Sequence, residues 1–497
     1  MALSLSTFLG ELAINKGDRV ILVMQNIPQM VIACLAVWFR RAVVVPLNPM
    51  FTGEDLAHYL ADCGATLFIC QDDLFPAKVE KAIAGHENIE VITTSALDML
   101  DRNADVPEQL RETFKQRHPN THDLMDIVAD GADQKPPVSH SELSDLAYLV
   151  YTSGTTGPAK GTMIRHANVV FNSVVYEKAC RLDRSDVVLG VAPLFHITGI
   201  VGHMAIAFRL GIPMVLFNRF VPNTVLWLMD KHQVTFTVGA ITVFIALMNC
   251  PELKNYNLSK FKKAYSGGAP VSPATVRKFQ KLVGPEIHNI YGLTESTSPA
   301  TVTPLGVEGP VDEETGALSV GLVIPNHEAW IVDVENPDKE IPLGEEGELV
   351  IRGPGITDGY WGKPEETAHA LKKGRLFTGD VAKIDENGWC YIVDRKKDLI
   401  NASGFKVWPR EVEDTLYKHP AVKEAAVVGI ADSYRGETVK AFVSVNEAFK
   451  NSLTPEELIQ FCKERLAAYK YPRVIEIINE IPKTATGKLL RRILKNR

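Results

Sequence analysis

The sequence predicts an α/β fold, with a large N-terminal domain of two α/β subdomains plus a small β-barrel region and a smaller α+β domain after it. Residues 17–95 alternate β-branched runs with helical patterns, as in a parallel sheet covered by helices. A second such stretch spans 185–295, and short strands punctuated by Gly and Pro span 318–393. At 497 residues the chain is too long for one ordinary hydrophobic core.

The first α/β stretch is predicted to contain five regular elements. Each strand is a short run rich in Val, Ile, Leu or Phe, and each helix shows apolar residues at helical spacing. The predicted strands lie at 19–24, 42–46 and 66–70, and the predicted helices at 28–39 and 54–63.

A connector and a hinge are expected to separate the larger regions. Residues 101–143 are polar and end with two consecutive prolines, which predicts a long connector. Residues 145–150 are mostly apolar and predict a buried strand. A charged segment follows Asp394, where we place a hinge, so the two domains are predicted to span residues 1–396 and 397–497.

The loop between Tyr151 and Gly161 is the most informative segment of the chain. Its glycines let consecutive N–H groups converge on one anion, while hydroxyl groups and a lysine add further donors. We expect a phosphate-binding loop in the order strand, loop, helix, with the helix between Met163 and Val175; a surface turn is the alternative. The spacing is not that of a Walker A loop, which excludes the usual kinase and GTPase assignment. The candidate phosphate ligands are Thr152, Ser153, Gly154, Thr155, Thr156, Gly157 and Lys160.

Two motifs in the second α/β stretch suit a nucleotide. The Gly-Gly-Ala segment at 267–269 lets a flat ligand approach the backbone, although a simple turn is the alternative. Tyr291, Thr294 and Glu295 place an aromatic ring, a hydroxyl and a carboxylate within five residues. A carboxylate beside a phosphate loop is repulsive unless a divalent cation lies between them, so Glu295 is a candidate Mg²⁺ ligand.

Three later motifs complete the series. Asp380 ends what is predicted to be a polar turn and could accept two ribose hydroxyl groups. Arg395 follows a predicted strand and could contact the same sugar. Residues 482–488 read Pro-Lys-Thr-Ala-Thr-Gly-Lys, a basic segment close to the end of the chain.

In this order the six motifs resemble the signature of the adenylate-forming superfamily, which includes acyl-CoA synthetases, coumarate–CoA ligases, firefly luciferase and peptide-synthetase adenylation domains. The resemblance covers nearly the whole chain and implies that the C-terminal domain is mobile. It implies that the loop from Thr152 to Lys160 holds the β- and γ-phosphates of ATP. It further places Gly267, Gly268, Ala269 and Tyr291 beside adenine, Thr294 at the α-phosphate, Glu295 and Thr155 at Mg²⁺, Asp380 and Arg395 at ribose, and Lys488 between the reacting carboxylate and the α-phosphate.

The resemblance also implies residues for the thiol and for the acid. Lys397 matches the hinge position. Gly404, Lys406 and Trp408 match the loop that binds coenzyme A, although packing within the small domain is an equal alternative for Trp408. His196 matches a gate beside the carboxylate; a buried histidine held by a backbone carbonyl is the alternative. The implied acyl pocket contains Thr198, Gly199, Gly202 and Val238.

Composition excludes several other classes of protein. The net charge of −7, with no basic half, argues against nucleic acid as the main partner. The seven cysteines are scattered without a Cys-x-x-Cys pair, which favours reduced thiols over a disulfide framework or a zinc site. The apolar run from Met30 to Phe39 is shorter than the roughly 20 residues that cross a bilayer, and no signal-peptide pattern precedes it. We therefore expect a cytoplasmic protein, with peripheral membrane contact and a homodimer left open.

The resemblance to adenylate-forming enzymes implies an AMP-forming acyl-CoA synthetase that uses ATP, Mg²⁺ and coenzyme A. The small-molecule substrate would be a carboxylic acid, activated as acyl-AMP with release of pyrophosphate. Apolar residues after His196 favour a medium- or long-chain fatty acid, with an aryl or arylalkanoic acid as the alternative. A carrier protein or an amine is left open as the acceptor. A truncated, inactive nucleotide-binding homologue is the alternative of a different class.

The chain departs from the superfamily pattern at its start. Fifteen residues precede Lys16, where members of the superfamily have a longer stretch. We therefore expect the usual first strands of the N-terminal domain to be missing and part of the first sheet to be exposed, as in an artificially shortened sequence.

Overall fold

The fold is mixed α/β, with a large N-terminal and a small C-terminal domain, as the sequence predicts. The described residues form three sheets, and helices pack around them. The computed structural model describes residues 1–86, 88–100, 113–131, 140–152, 159–402, 405–432, 436–450, 453–483 and 489–495.

The first sheet arises from the predicted βαβ stretch. Its described strands are β1 Arg19–Val23, β2 Val43–Leu47, β3 Leu67–Gln71, β4 Glu90–Thr94, β5 His122–Asp123, β6 Leu146–Tyr151 and β7 Gly161–Arg165. They lie in the order β5-β4-β3-β1-β2-β6-β7, and all neighbours are parallel except β6 and β7. The first three strands match the predicted ones within one residue at each end.

A helix at the start of the chain covers this sheet. In the helix Ala2–Glu11, Leu5 and Leu9 have no exposed surface and share a hydrophobic cluster with Val20 and Ile69 of the sheet. Strands β2 and β3 are buried along their whole length. These strands therefore lack the exposure expected of part of the first sheet, and the N-terminal helix packs mainly against the helices Pro28–Phe39 and Leu124–Asp130.

The segment predicted to be a connector contains regular structure. Residues 122–123 form β5, and the helix Leu124–Asp130 follows directly. The carboxylate of Asp123 accepts hydrogen bonds from the backbone N–H groups of Met125 and Asp126, which caps that helix. The prediction of a plain connector is wrong here because an edge strand of two residues and a short helix bury too few side chains to leave an apolar pattern.

The second sheet joins the second α/β stretch to the region of short strands. Its described strands are β8 Val188–Leu189, β9 Met214–Val215, β10 Phe236–Gly239, β11 Lys263–Ser266, β12 Ile287–Leu293, β13 Ser298–Val302, β14 Gly321–Val323, β15 Glu328–Val332, β16 Gly347–Arg352, β17 Leu371–Lys372, β18 Arg375–Ile384 and β19 Trp389–Arg395. They form the row β15-β16-β18-β19-β14-β13-β12-β11-β10-β8-β9, with β17 beside β18. The strands expected to form a small barrel thus continue through β12 into the parallel strands, and their described pairings form an open row.

The third sheet belongs to the C-terminal domain. Its described strands are β20 Ile400–Ala402, β21 Phe405–Val407, β22 Val422–Asp432, β23 Gly436–Val445 and β24 Val474–Ile477. They lie in the order β21-β20-β23-β22, and β24 pairs with β23 in parallel. The sheet begins a few residues after the predicted domain boundary at 396, which stays a prediction.

Proline opens several of the described helices, because its fixed φ suits the first helical position and its missing N–H group has no partner to lose there. This holds for six of them. The α-helices are Ala2–Glu11, Pro28–Phe39, Gly53–Cys63, Glu80–Ala82, Leu124–Asp130, His166–Ala179, Ile197–Gly199, Ile206–Leu210, Pro222–Lys231, Ile241–Met248, Pro273–Val283, Pro364–Ala370, Pro409–Leu416, Pro455–Lys463 and Arg491–Lys495. Short 3₁₀ segments lie at Asp72–Leu74, Pro251–Asn255, Thr294–Ser296, Lys396–Asp398 and Glu447–Phe449, and π-helical segments at Phe75–Val79 and Ile200–Ala205.

Two expectations drawn from composition can be compared with the fold. Each of the seven cysteines is buried and free of any disulfide, in agreement with the expected reduced thiols. Among the described helices, none combines the length and the apolar character needed to cross a membrane.

Replacing Leu9 with alanine should lower the free energy of unfolding by about 2–5 kcal/mol, because the change opens a cavity beneath the N-terminal helix. The matched control is Leu3→Ala on the same helix, where the side chain is 48% exposed. The control should shift the free energy by less than about 0.5 kcal/mol. Urea denaturation measures both, and equal unfolding midpoints would contradict the packing described for this helix.

Candidate functional site

The predicted ribose residues form a buried charge pair. Strand pairing places Asp380 of β18 directly opposite Arg395 of β19. Arg395 Nε lies 2.5 Å from Asp380 Oδ1, and the hydroxyl of Tyr291 donates to Asp380 Oδ2 at 2.6 Å. Asp380 is 1% exposed, whereas the Arg395 side chain is 37% exposed. The carboxylate is therefore held from inside the protein while the guanidinium reaches the surface of the cavity described below.

The electrostatics of this site keep Tyr291 and Arg395 protonated. Burial and the negative charge of Asp380 raise the pKa of Tyr291 above its ordinary value, so its hydroxyl remains a donor. The same carboxylate raises the pKa of Arg395.

Asp380 lies inside a strand, which corrects the expected position at the end of a polar turn. Residues 378–380 form an irregularity in β18 opposite β16, with Gly379 at a φ of +69°. A bulge of this kind redirects side chains without ending the strand. Polar residues and a glycine led the sequence analysis to predict a turn, because a bulge has the same local composition.

A cavity of about 340 Å³ connects these residues with the C-terminal domain. Its walls contain the predicted nucleotide residues Gly268, Ala269, Tyr291, Asp380 and Arg395. The C-terminal domain contributes Leu489, Leu490, Arg491 and Ile493. The predicted adenine and ribose residues thus meet at one place, which also contains the residue that follows Lys488. Lys488 itself lies outside the described residues, so its role stays a prediction.

The Gly-Gly-Ala segment is close-packed on its neighbour strand. A Cβ atom at Gly267 would lie 2.7 Å from the backbone oxygen of Ile290, and Gly268 has a φ of +80°. Only glycine satisfies the first constraint, and it is strongly favoured by the second. These constraints let the backbone at 267–269 run beside β12 and open onto the cavity.

The loop that is predicted to bind phosphate connects the strands β6 and β7, which form a β-hairpin. This hairpin is called the phosphate hairpin below. Strands β6 and β7 are antiparallel, the N–H of Thr152 donates to the carbonyl of Lys160 at 3.0 Å, and the N–H of Lys160 donates to Thr152 Oγ1 at 3.3 Å. The helix expected between Met163 and Val175 is present as His166–Ala179, but β7 lies between it and the loop, so the order is strand, loop, strand and helix. The apolar spacing after Gly161 suits both a strand and a helix, and pairing with β6 decides for the strand. Ser153, Gly154, Thr155, Thr156 and Gly157 lie outside the described residues.

Tyr360, which the sequence analysis missed, connects Lys160 with Glu295. The ammonium group of Lys160 lies 4.9 Å from the centroid of the Tyr360 ring, and the Tyr360 hydroxyl donates to Glu295 Oε1 at 2.7 Å. Tyr360 is 8% exposed. Burial, and to a smaller extent the negative charge of Glu295, raise the pKa of Tyr360, so its hydroxyl stays protonated. The only local signal was an aromatic pair between two glycines, Gly359 and Gly362.

Backbone hydrogen bonds join these pieces. The N–H of Thr357 donates to the carbonyl of Glu295 at 2.8 Å, and the N–H of Trp361 donates to the carbonyl of Gly161 at 2.8 Å. The segment 357–361 therefore holds the Thr294–Ser296 turn beside the phosphate hairpin. Thr294, the predicted α-phosphate residue, belongs to this turn.

The residues around Glu295 fit a magnesium ion that arrives with ATP. Within the described parts of the chain, no group of three or more His, Cys, Asp or Glu side chains could hold a metal by itself. In nucleotide enzymes, Mg²⁺ is commonly held by one or two carboxylates, by water and by the substrate phosphates. One carboxylate beside a phosphate loop matches that donor set, while Thr155, the other predicted ligand, lies outside the described residues.

The predicted hinge lies between two oppositely anchored residues. Lys396 Nζ donates to Glu348 Oε2 of the large domain at 2.8 Å. On the other side, Asp398 Oδ2 accepts from Arg491 Nη1 at 3.0 Å, and Arg491 Nη2 donates to both carboxylate oxygens of Glu413 at 2.8 Å. Lys397, between the two anchors, belongs to the short 3₁₀ segment Lys396–Asp398.

The predicted coenzyme A residues are only partly described. Gly404 and the side chain of Lys406 lie outside the described part of the structure. Trp408 precedes the helix Pro409–Leu416, and its indole N–H donates to Glu346 Oε2 of the large domain at 3.2 Å. In this conformation Trp408 therefore contacts the domain interface, and its role toward coenzyme A stays a prediction.

The glycines of the predicted acyl pocket are tightly packed. A Cβ atom at Gly199 would lie 2.1 Å from the carbonyl oxygen of Pro193, and one at Gly202 would lie 2.6 Å from Val238 Cγ1. Thr198 lies beside Gly199 in the helix Ile197–Gly199, which continues as the π-helical segment Ile200–Ala205 and is called the helical run below. In this structure, protein atoms occupy the space beside both glycines, so these residues let the helical run approach its neighbours. Whether they also face the acid stays a prediction.

Two histidines of this region differ in their surroundings. His196 caps the helical run, its Nδ1 accepting from the N–H of Thr198 at 3.3 Å, and it is half-buried. His203 is fully buried, its Nε2 accepting from the N–H of Ala192 at 3.0 Å. Burial lowers the pKa of His203 to about 4, so this imidazole is neutral. His196 is thus less buried than the alternative assumed, and its role as a gate stays a prediction.

Two family models match the sequence and show to which family the chain belongs. The model of the AMP-binding enzyme family matches residues 1–361, and that of the AMP-binding enzyme C-terminal domain matches residues 411–488. The chain belongs to the AMP-binding enzyme family. This confirms the resemblance to adenylate-forming enzymes.

Relatives of this AMP-binding enzyme span nearly the same length. A long-chain-fatty-acid–CoA ligase of Bacillus subtilis (strain 168) is 38% identical over 99% of this chain and 88% of its own length. A feruloyl-CoA synthase of Amycolatopsis is 32% identical over 97% of this chain and 89% of its own. The crystal structure of ATP-bound MatB from Rhodopseudomonas palustris has a TM-score of 0.85 and 25% identity, covering 100% of this chain and 91% of that one.

Tyr291→Phe should lower the free energy of unfolding by about 1.5–3 kcal/mol, because it removes a hydrogen bond to a buried carboxylate. Tyr256→Phe is the matched control, since its hydroxyl donates to Asn223 Oδ1 at the same distance, 2.6 Å, in an exposed position. The control should cost less than about 1 kcal/mol. Chemical denaturation measures both, and similar losses would show that burial of the Asp380 pair adds nothing.

Proposed function

We propose that this AMP-binding enzyme is an ATP-dependent acid–thiol ligase that activates a medium- or long-chain fatty acid as acyl-AMP and then forms acyl-CoA. The observation that carries the proposal is the shared cavity. The cavity brings Tyr291, Asp380 and Arg395 together with Leu489, the residue after Lys488. The class of acid is supported by the long-chain-fatty-acid–CoA ligase that is 38% identical to this chain.

In the first half-reaction, a carboxylate oxygen attacks the α-phosphorus of ATP. A bond forms between these atoms, the bond from the α-phosphorus to the bridging oxygen breaks, and pyrophosphate leaves with the electron pair. Two unit charges about 4 Å apart repel by about 4 kcal/mol at an effective dielectric of about 20. Lys160 beside the phosphate hairpin and Lys488 at the reacting groups would offset that repulsion where negative charge accumulates.

A bound Mg²⁺ would neutralise part of the polyphosphate charge. Glu295 is placed to hold the ion, and Tyr360 keeps the Glu295 carboxylate oriented through the bond to Oε1. The fatty acid needs no general base, because carboxylic acids are already ionised near neutral pH.

In the second half-reaction, the thiol sulfur of coenzyme A attacks the acyl carbon. The bond from that carbon to the AMP oxygen breaks, AMP leaves, and the thiol proton passes to solvent. Lys488 must move away for the thiol to enter, so we propose rotation at Lys397 between the two steps. The anchoring of Lys396 and Asp398 to opposite sides supports this position for the hinge.

An aryl acid is the second candidate substrate, because a feruloyl-CoA synthase is among the relatives at 32% identity. We also propose a cytoplasmic location, which the seven free, buried cysteines support.

Acid-dependent ATP–pyrophosphate exchange should be fastest with long saturated fatty acids. Each CH₂ group buried in an apolar site contributes about 0.8 kcal/mol, so kcat/KM should rise about fourfold per added CH₂ until the site is filled. The panel runs from hexanoate to octadecanoate and includes ferulate, benzoate and malonate. A maximum with ferulate or benzoate would favour the aryl alternative, and no exchange with any acid would reject the enzyme.

Lys488→Ala should lose at least about 100-fold in ATP–pyrophosphate exchange, since it removes a positive charge from the transition state. The same variant should keep most of its ability to convert supplied acyl-AMP and coenzyme A to acyl-CoA. Lys495→Ala is the matched control, a nearby exposed lysine that should leave both half-reactions unchanged. Equal loss of both half-reactions in the Lys488 variant would contradict the assignment of Lys488 to the first step alone.

A further inference from the structure

The helix His166–Ala179 carries two buried asparagines one turn apart. Asn168 is 7% exposed and Asn172 is fully buried. Asn168 lies in the first turn, where its Oδ1 accepts from the N–H of Arg165 at 2.9 Å. Asn172 lies inside the helix, where asparagine is unfavourable, and a buried amide is costly unless it is hydrogen-bonded. The hydrogen-bond partners of these two buried amides therefore show why asparagine occupies both positions.

Asn172 holds the turn that carries Glu295. Its Nδ2 donates to the carbonyl oxygen of Ser296 at 2.9 Å and to that of Thr297 at 2.6 Å. Its Oδ1 accepts no hydrogen bond from the described part of the chain. The amide thus acts on this turn as a donor only.

The turn has a backbone that needs external support. Thr297 and Ser298 have φ values of 54° and 82°, a region that β-branched residues rarely occupy. The hydroxyl groups of Tyr176, on the same helix as Asn172, and Ser298 lie 3.0 Å apart. Backbone strain of this kind persists only where the surroundings fix the conformation, and it is concentrated at functional sites.

Asn168 holds the companion segment. Its Nδ2 donates to the carbonyl oxygens of Pro354 and Ile356 at 2.8 and 3.2 Å. That segment leads directly to Thr357, whose N–H binds the carbonyl of Glu295, and to Tyr360, whose hydroxyl binds its carboxylate. One helix, which starts directly after the phosphate hairpin, therefore supports both elements that orient Glu295.

We propose that Asn172 is a positioning residue for Mg²⁺·ATP. By binding the carbonyl groups of Ser296 and Thr297, it fixes the Thr294–Ser296 turn in the conformation that presents the Glu295 carboxylate to the metal of the bound nucleotide. Asn168 acts in the same way on the segment that presents Tyr360. This inference rests on the function proposed above.

The test compares Asn172→Ala and Asn172→Asp with wild type. Both variants remove the two donated hydrogen bonds, and the aspartate keeps the size of the side chain. The dissociation constant of Mg²⁺·ATP, measured by isothermal titration calorimetry, should rise about 10-fold, as is usual when a supporting partner of a metal ligand is lost. Binding of ATP in EDTA should stay unchanged, as should the conversion of supplied acyl-AMP to acyl-CoA.

Val175→Ala is the matched control, because Val175 is buried on the same helix and packs in the core without contacting the turn through a hydrogen bond. It should lower the unfolding midpoint and leave the Mg²⁺·ATP affinity unchanged. The Mg²⁺ concentration for half-maximal exchange should rise only in the Asn172 variants, and excess Mg²⁺ should restore part of their rate.

Two results would overturn the inference: unchanged Mg²⁺·ATP affinity in a folded Asn172 variant, or an equal loss of ATP binding with and without Mg²⁺. If the alanine variant does not fold, the aspartate variant decides. Calorimetry needs no turnover, so the inference is tested even if wild type shows no exchange with any acid. A lack of exchange by wild type with every acid would count against the proposed function alone.

Discussion

The pairing of Asp380 with Arg395 across two neighbouring strands is the constraint on which the rest of the site depends. A buried carboxylate is stable only when it is paired and hydrogen-bonded, and here the guanidinium and the Tyr291 hydroxyl meet that need. The partner strand ends at Arg395, and the next residues form the short segment Lys396–Asp398. The strand register therefore ties the proposed ribose site to the segment that joins the domains.

The proposed phosphate site has a different physical problem to solve, the accumulation of negative charge. A β-hairpin presents the loop, and Tyr360 separates Lys160 from Glu295 by a ring and a hydroxyl. This keeps the cation and the carboxylate from pairing directly, so both charges stay available for the nucleotide and the metal proposed to bind here. The helix His166–Ala179 supports this arrangement through Asn172, which binds the backbone of the turn and not the Glu295 carboxylate.

Much of the fold and part of the site could be predicted from the sequence. Strands β1 to β3 were found within one residue because both faces are buried, which leaves an unbroken apolar run. Residues 163–165, which are predicted to be helical, belong to the strand β7, because apolar spacing over so few residues suits both structures until β6 pairs with them. Asp380 and Arg395 were identified by their motifs, but the bulge that aims Asp380 depends on a strand nearly thirty residues away. Tyr360 was missed because its meaning lies in its distance to Glu295, which no local pattern contains.

The contacts of Arg410 give the domain junction a kinetic property. Its N–H donates to Asp394 Oδ2 at 2.7 Å and its Nη1 to the carbonyl of Ile392 at 2.9 Å, so both bonds cross the segment that contains Lys397. The ion pairs of Lys396 and of Asp398, by contrast, each remain within the part that would move as one body. Reorientation at the proposed hinge Lys397 would therefore break both hydrogen bonds of Arg410, together with the one from the Trp408 indole to Glu346. Breaking these hydrogen bonds would then contribute to the barrier that the small domain has to cross when it changes its orientation.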